Sequence, residues 1–202
     1  MAKFLLIRHA TTDSVGKRLS GRTADVHLNE EGVKQAKELA QRFINLKIDA
    51  LYSSPLERAR ETAAPIAELK QLECNVHQHL NEIDFGEWTN LSFDDLKDNA
   101  EFGRFNNFRS CTRIPGGELM AEAQLRFING IEMLSANHTH QTIAIVSHAD
   151  LIRSCIAYYA GIHLDMFQRI EISPASVSII ELCNDTAKIL LLNHTGKIEF
   201  NY

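Results

Sequence analysis

Short apolar runs alternate along this chain with longer segments in which apolar residues recur every three or four positions. A short continuous apolar run is typical of a strand buried on both faces, whereas the longer spacing is typical of an amphipathic helix. The alternation predicts an α/β fold in which helices cover both faces of a sheet. The strand-like runs ahead of the C-terminal region are Phe4–Ile7, Ala50–Ser53, a weaker one at Val76, and Thr142–Ser147.

Capping residues mark where the helices between these runs begin and end. Asn29 is a typical N-cap ahead of the first helical segment, and Ser54-Pro55 has that role ahead of the second. Pro65 lies inside the second segment, and we expect it to kink or end the helix near Ala64. The later helical segments are Ser92–Asn99 with a capping box from Ser92 to Asp95, Leu119–Leu134, and Leu151–Tyr159 closed by Gly161.

The last part of the chain predicts an antiparallel edge for the sheet. Three strand-like runs, Arg169–Ile172, Val177–Leu182 and Lys188–Leu192, follow one another, and Asn184-Asp185 between the last two is a hairpin turn signal. The least regular stretch, from Leu80 to Gly117, is the candidate lid or substrate-facing insertion.

Length, charge and cysteine usage narrow the class of protein. The 202 residues fit one domain spanning 1–202, and the net charge of −5 argues against a general nucleic-acid binder, which needs a basic face. No apolar run approaches the roughly 18–20 residues of a membrane span, and Phe4–Ile7 is too short for a signal-peptide core. The four cysteines form no C-x-x-C pair and are typical of reduced thiols, so we expect a cytoplasmic protein. From the charge and the short apolar runs, we expect that it binds neither nucleic acid nor membrane.

Basic side chains directly follow three of the predicted strands. Arg8 and His9 follow the first, Arg58 comes one turn into the helix after the second, and His148 follows Thr142–Ser147. Ligands of open α/β sheets bind outside the carboxyl ends of the strands, where these side chains would meet. The sequence therefore predicts an anion site in an otherwise acidic molecule.

Phosphoryl transfer is the chemistry that suits such a site. Guanidinium forks bind phosphate oxygens in bidentate fashion, a neutral imidazole is a competent nucleophile toward phosphorus, and a second, protonated imidazole stabilises the charge that builds on the oxygens. An acid must also protonate the leaving alcohol, and the irregular stretch offers Glu82, Asp84 and Glu87. The pattern alone chooses neither among these carboxyls nor between the two histidines.

Five ordered segments resemble the motifs of one known family, the histidine phosphatase superfamily, also called phosphoglycerate mutase-like. A single Arg-His pair would mean little, but the order and spacing of all five agree with that family. The segments are LLIRHATT (Leu5–Thr12), YSSPLERARET (Tyr52–Thr62), LNEIDFGEW (Leu80–Trp88), PGGEL (Pro115–Leu119) and IVSHADLIR (Ile145–Arg153).

The resemblance implies a fold and a set of roles. The fold is a three-layer α/β/α sandwich with a mostly parallel sheet, and no metal or organic cofactor is implied. His9 would be the nucleophile that forms a phosphohistidine, and Glu82 would protonate the leaving group and then activate water. Arg8, Arg58 and His148 would hold the transferring phosphoryl group.

The chain departs from the family pattern near its first motif. Ala10 and Ala149 stand where the family usually has glycine, and we expect both positions to need only a small side chain. The family often has an asparagine where this chain has Asp13, Ser14 and Val15. Ser14 is a candidate replacement, with Gly21 and Arg22 as further substrate-binding candidates and Arg22 as an outer-pocket cation.

The resulting prediction is a phosphatase of small phosphate monoesters, most similar to the α-ribazole phosphatase and broad-specificity branch. The first alternative is a cofactor-dependent phosphoglycerate mutase, which the short stretch from Leu80 to Gly117 disfavours. The second is a non-catalytic module that binds phosphorylated ligands, for which a nucleophile and an acid would be superfluous. The expected partner is a small phosphorylated metabolite, and the sequence leaves open whether the protein is a homo-oligomer.

Other chemistry-bearing side chains have a structural and a functional interpretation. His77-x-His79 and His138-x-His140 form no recognisable zinc set, and we expect no metal site. One set of aromatic and basic residues either lines the substrate mouth or packs a short helix: Phe102, Arg104, Phe105, Phe108 and Arg109. The candidates for binding a second anionic group on the substrate are Arg109 and Arg113.

Overall fold

A computed structural model describes residues 1–183 and 186–196, and its described part contains one mixed sheet in the order β3-β2-β4-β1-β5-β6. The strands are β1 (Ala2–Arg8), β2 (Ala50–Ser53), β3 (Cys74–Val76), β4 (Thr142–Ser147), β5 (Val177–Cys183) and β6 (Thr186–His194). The pairs β1/β4, β2/β4 and β2/β3 are parallel, while β5 lies antiparallel on β1 and β6 antiparallel on β5. The mostly parallel sheet with an antiparallel edge is confirmed.

Six α-helices lie in the described part of the chain. Asn29 accepts from the N–H of Gly32, and Ser92 and Asp95 form the expected capping box. Three 3₁₀-helical turns, Gln78–Leu80, Gly86–Trp88 and Leu164–Arg169, connect these elements. The helices are α1 (Glu30–Arg42), α2 (Glu57–Lys70), α3 (Phe93–Leu96), α4 (Ala100–Asn107), α5 (Met120–Asn137) and α6 (Ala149–Ala160).

Two hydrophobic cores lie on opposite faces of the sheet, which makes the fold the expected three-layer sandwich. Alternate residues of β1 point to opposite faces, so Leu5 belongs to the core under α1 and α2, and Phe4 to the core under α5 and α6. Phe127 of α5 and Ile152 of α6 complete the second core. The strand ends that carry the basic motifs therefore emerge between two packed helical layers.

The prediction of a strand at Arg169–Ile172 is wrong, because arginine side chains, and not a neighbouring strand, bind the main-chain carbonyls of this segment. Leu164–Arg169 is a 3₁₀ turn, and Ile170 and Ile172 lie in no strand although both are buried. Arg153 Nε donates to the carbonyl of Ile170 at 2.9 Å, and Arg8 Nη1 donates to that of Ile172 at 2.6 Å. Two guanidinium groups thus satisfy carbonyls that a neighbouring strand would otherwise bind.

The expected end of the second helix near Ala64 is also wrong, since α2 continues through Pro65 to Lys70. A proline in a helix interior removes one hydrogen bond and costs about 3 kcal/mol. Ala59, Ala63 and Ile66 are buried on either side of Pro65, and this packing against the sheet holds the helix together. Tertiary packing therefore outweighs the local signal.

Two further features complete the description. The hairpin turn expected at Asn184-Asp185 lies outside the described residues, while the strands that flank it pair antiparallel. Across residues 1–183 and 186–196, none of the helices is both long enough and apolar enough to cross a bilayer.

Gly32 lets α1 pack directly on the loop that follows His9, which yields a stability prediction. A Cβ built on Gly32 would lie 2.0 Å from the carbonyl oxygen of Thr11, so Gly32→Ala must push helix and loop apart. We expect the free energy of unfolding to fall by about 1–3 kcal/mol, measured by urea denaturation. Gly103→Ala is the matched control: nothing lies within 4 Å of its Cβ, and replacing this exposed helical glycine should stabilise slightly. Equal stability of the two variants would contradict the close packing.

Candidate active site

The carboxyl ends of β1, β2 and β4 form one edge of the sheet and hold a cleft of about 190 Å³. Main-chain bonds fix the strand ends against one another: the N–H of His9 donates to Ser147 and that of Ser54 to Val146, both at 2.9 Å. Arg8, His9, Arg58 and Glu82 all line the cleft. Residues from three distant segments of the chain thus meet at one cleft.

His9 is held in the form that a nucleophile needs. Its Nδ1–H donates to the carbonyl of Ala10 at 2.8 Å, which leaves the lone pair on Nε2. Burial, together with the charges of Arg58 and Arg8, holds the pKa of His9 well below its usual range. The ring is therefore neutral at pH 7 and competent to attack an electrophile.

Arg58 and Arg8 carry buried donors into the cleft. Arg58 is only 2% exposed, and its Nη2 donates to the carbonyl of Gly21 at 2.8 Å. Its Nη1 and the Nε of Arg8 are buried without a hydrogen-bond partner. A buried unpaired guanidinium nitrogen is costly, and an anion in the cleft would satisfy it.

His148 is fully buried beside His9, with the two ring centroids 5.3 Å apart. Its Nε2 lies 2.8 Å from Ser54 Oγ, and that hydroxyl already accepts from the N–H of Leu56. In the tautomer in which Ser54 donates its hydroxyl proton to Nε2, the ring proton lies on Nδ1, which is buried without a hydrogen-bond partner.

The expectation of a protonated second imidazole does not hold for His148. Burial, followed by the charges of Arg58 and His9, keeps its pKa well below the usual range, so the ring is neutral. With its proton on Nδ1, a neutral His148 can still donate a hydrogen bond. Arg8 and Arg58 are then the charged donors available to an anion in the cleft.

Of the three carboxyls that the sequence left open, Glu82 lies in the cleft in a form suited to proton donation. Its side chain is 13% exposed, with Oε2 3.6 Å from His148 Nδ1, and its Oε1 accepts from the N–H of Ile83. Burial raises the pKa of Glu82 to about 7, against the opposing charge of Arg58. Asp84 instead pairs with Arg22, and Glu87 is exposed.

The outer candidates divide into residues that line the cleft and one that does not. Ser14 and Gly21 line it, whereas Arg22 lies behind it, bound to the carbonyl of Glu82 and to the Glu118 carboxylate. Neither Ala10 nor Ala149 has a positive φ, so a small side chain suffices at both positions, as expected.

Sequence reasoning missed several residues of the cleft wall: Arg18, Asp150, Arg153, Phe85 and Phe93. Arg153 follows Asp150 by three residues on α6, and this spacing could have revealed their ion pair at 3.0 Å. No local pattern marks the exposed Arg18, which lies in the loop after β1.

Arg109 and Arg113, the candidates for a second anionic group, lie outside the cleft. Arg109 is buried, donates to Asp150 at 2.8 Å, and sits over the ring of Phe105 at 4.4 Å. Arg109 and Arg153 together hold the pKa of Asp150 below its usual range although burial alone would raise it. Arg113 pairs with the exposed Glu122.

Three histidines of the two His-x-His pairs, His77, His79 and His138, lie around Tyr52 and apart from the cleft. The hydroxyl of Tyr52 is 2.7 Å from His138 Nε2, and the ring of His77 meets Tyr52 edge-on and lies 5.0 Å from that of His79. These side chains pack against one another and line no part of the candidate site.

A family model described as the histidine phosphatase superfamily (branch 1) matches residues 4–195. Phosphoserine phosphatase 1 of Hydrogenobacter thermophilus is 34% identical over 199 residues, covering 96% of this chain and 93% of that protein. The adenosylcobalamin/alpha-ribazole phosphatase of Escherichia coli is 27% identical over 190 residues, covering 93% and 94%. The crystal structure of a phosphoserine phosphatase mutant from Entamoeba histolytica in complex with phosphoserine matches with a TM-score of 0.88 at 26% identity, covering 98% and 100%.

Proposed function

Because the chain belongs to the histidine phosphatase superfamily and is a phosphatase of small phosphate esters, we propose that it works through a phosphohistidine on His9 with Glu82 as the proton donor. The cleft residues are all supplied by this chain, and the proposal includes no metal or organic cofactor. All four cysteines are free thiols, which supports a cytoplasmic location.

One observation carries the proposal: three buried side-chain nitrogens without hydrogen-bond partners lie after three neighbouring strand ends. They are Arg8 Nε, Arg58 Nη1 and His148 Nδ1. A tetrahedral phosphoryl group offers oxygens in several directions and can accept from all three at once. The neutral His9 beside them is then the group that attacks phosphorus.

The proposed first step transfers the phosphoryl group to the enzyme. His9 Nε2 attacks phosphorus, the P–N bond forms, and the bond from phosphorus to the ester oxygen breaks. Glu82 gives its proton to the departing oxygen, so the alcohol leaves neutral. Arg8, Arg58 and the N–H of His148 hold the phosphoryl oxygens during the transfer.

The second step returns the enzyme to its starting state. The Glu82 carboxylate accepts a proton from water, the resulting hydroxide attacks phosphorus, and the P–N bond breaks to release inorganic phosphate. His9 is again neutral and Glu82 again protonated. The pKa of Glu82 near 7 suits a group that must serve in turn as acid and base.

The outer cleft favours a substrate with a second anionic group. Arg18 and Arg153 line the same cleft as the proposed phosphate donors, and Arg153 forms an ion pair with Asp150. Two of the similar proteins are named for phosphoserine, which carries a carboxylate beside its phosphate. We therefore propose that the substrates are phosphorylated carboxylic acids of about the size of phosphoserine.

Phosphoserine and phosphoethanolamine test this substrate class, because the second lacks only the carboxylate. We expect kcat/KM for phosphoserine to be roughly 10–100-fold higher, which is the usual worth of a hydrogen bond to a charged group. Arg18→Ala should narrow that ratio, whereas Lys17→Ala, its exposed neighbour outside the cleft, should leave it unchanged. Release of inorganic phosphate is the measured product. Equal kcat/KM for the two esters would contradict the proposed class.

The pKa of Glu82 predicts the pH dependence of the first step. Glu82 donates only when protonated, so phosphoenzyme formation from an alkyl phosphate should slow as the pH rises through about 7. Rapid-quench measurement of the first turnover isolates this step from hydrolysis of the intermediate. In Glu82→Gln this decrease of the rate with rising pH should be absent. A rate that stays flat from pH 6 to 9 in the parent would remove Glu82 from the acid role.

A further inference from the structure

A clamp of three charged side chains grips the segment that carries Glu82. We call residues 79–84 the acid loop, and Arg22, Glu118 and Arg126 the clamp. The three clamp residues come from the loop after β1, the turn before α5, and α5 itself. None of them lines the cleft, so they touch the acid loop from behind.

Arg126 binds three main-chain carbonyls of the acid loop. Its Nη1 donates to His79 and to Asn81, both at 2.9 Å, and its Nη2 donates to Glu82 at 3.2 Å. Three bonds from one planar guanidinium fix the path of the backbone on both sides of Asn81. The orientation of the Glu82 side chain follows from that backbone.

Arg22 ties the acid loop to the phosphate donors. Its Nε donates to the carbonyl of Glu82 at 2.8 Å. The residue just before it, Gly21, offers its carbonyl to Arg58 Nη2 at 2.8 Å. Two consecutive residues thus bind the proposed proton donor's backbone and a proposed phosphate-binding arginine, which sets the distance between acid and phosphate.

Glu118 holds the two clamp arginines together. Its Oε1 accepts from Arg22 at 2.7 Å and from Arg126 Nε at 3.2 Å, while its Oε2 accepts from Arg126 Nη2 at 3.2 Å and from the N–H of Asp84 at 3.0 Å. Without this carboxylate the two guanidinium groups would repel each other behind the acid loop.

The clamp arginines bind carbonyls of the acid loop and leave the acid group itself alone. The Glu82 carboxyl takes its hydrogen bond from the N–H of Ile83. A guanidinium paired directly with that carboxyl would stabilise its ionised form and weaken it as an acid. Binding the main chain orders the loop without this cost.

From these contacts we propose that Arg22, Glu118 and Arg126 are positioning residues for the proton donor, which they hold at the distance that protonation of the leaving oxygen requires. The inference rests on the proposed role of Glu82. A proton donor must come within roughly 2.6–3.2 Å of its acceptor, so a loosened acid loop impairs that transfer while phosphate binding persists.

The test compares two esters that differ in their need for an acid. p-Nitrophenyl phosphate has a leaving group that departs unprotonated, whereas phosphoserine releases an alkoxide that must be protonated. We expect Arg126→Ala to lower kcat/KM for phosphoserine about 10–100-fold, a part of what general acid catalysis contributes. The value of kcat/KM for p-nitrophenyl phosphate should change less than about threefold. This parameter covers only the steps up to release of the alcohol, so hydrolysis of the phosphoenzyme does not affect the comparison. Arg126→Lys, which keeps the charge and one donor group, should recover part of the loss.

Arg42→Ala is the matched control for a general loss of stability. Arg42 also donates to main-chain carbonyls, those of Ala175 and His194, but it does not contact the acid loop. Its effect on the two esters should be equal. Glu118→Gln supplies an isosteric second variant should Arg126→Ala fail to fold, and it should show the same selective loss on a smaller scale.

The outcomes separate the clamp from the proposed catalytic residues. Equal losses on both esters in the clamp variants, while Glu82→Gln remains selective, would overturn the positioning role alone. If Glu82→Gln itself affects both esters equally, the acid assignment fails and the clamp proposal fails with it. A selective loss in both sets of variants supports the proposal.

Discussion

His9→Ala is expected to lower kcat for phosphate monoesters by roughly 10⁴-fold or more, because it removes the atom that would bond to phosphorus. His9 is the neutral ring whose Nε2 lone pair is free, while His148 is tied through Nε2 to Ser54. Binding should survive, since Arg8, Arg58 and His148 remain, so KM or a competitive phosphate inhibition constant should change far less than kcat.

The measurement is turnover of p-nitrophenyl phosphate together with capture of the phosphoenzyme by quenching in alkali. The parent should yield an acid-labile, base-stable phosphoprotein, as phosphohistidine does, and His9→Ala should yield none. His163→Ala replaces an exposed histidine outside the cleft and serves as the control. Turnover of the His9 variant at the parent's rate would exclude His9 as the nucleophile.

Glu82→Gln should produce the second large effect, and its size should depend on the leaving group. We expect a loss of roughly 10²–10⁴-fold in kcat/KM for phosphoserine, the usual contribution of a positioned general acid. This parameter covers only the steps up to release of the alcohol, so it does not include the second role of Glu82 in hydrolysis of the phosphoenzyme. The loss for p-nitrophenyl phosphate should be smaller because its leaving group needs little protonation. The amide keeps the shape of Glu82 and removes only the transferable proton.

A series of aryl and alkyl phosphates of graded leaving-group pKa measures this dependence as the slope of log kcat/KM against that pKa. The slope should be steeper in Glu82→Gln than in the parent. Glu87→Gln is the matched control, since Glu87 is an exposed carboxylate of the same segment. Parallel slopes in the parent and the Glu82 variant would move the acid role to another group.

The sheet and the meeting of the proposed phosphate-binding residues at its edge were predictable, because both depend on short-range patterns in the sequence. Buried runs such as Phe4–Ile7 mark parallel strands, and parallel strands bring their carboxyl ends to one edge. Arg8, His9 and His148 follow such runs directly, so their meeting needed no knowledge of loop paths.

The choice among Glu82, Asp84 and Glu87 could not be made from spacing. It depends on which carboxyl the loop turns inward, and that turn is set by Arg126 and Glu118 from more than thirty residues away. Family resemblance pointed to Glu82, and its burial beside His148 agrees.

The position of Arg22 also depends on a partner that is distant in sequence. Its place after Ser20-Gly21 predicted an outer-pocket cation, yet its partner is Glu118, far along the chain. The mistaken strand at Arg169–Ile172 has a related cause, because the guanidinium groups of Arg8 and Arg153 take the carbonyls that a ladder would use. Long-range side-chain partners leave no periodic trace in the sequence.

Arg58 is buried with one guanidinium nitrogen bonded and another without a partner, and this has a consequence for protein engineering. A buried cation with an unpaired donor costs free energy of folding, so an apolar side chain of similar volume at this position should make the protein more heat-resistant. A library screened for survival at high temperature alone would therefore enrich for neutral residues at Arg58 and discard turnover. Adding inorganic phosphate during heating would favour clones that keep the cation, because a ligand that binds only the folded form protects those that retain its site.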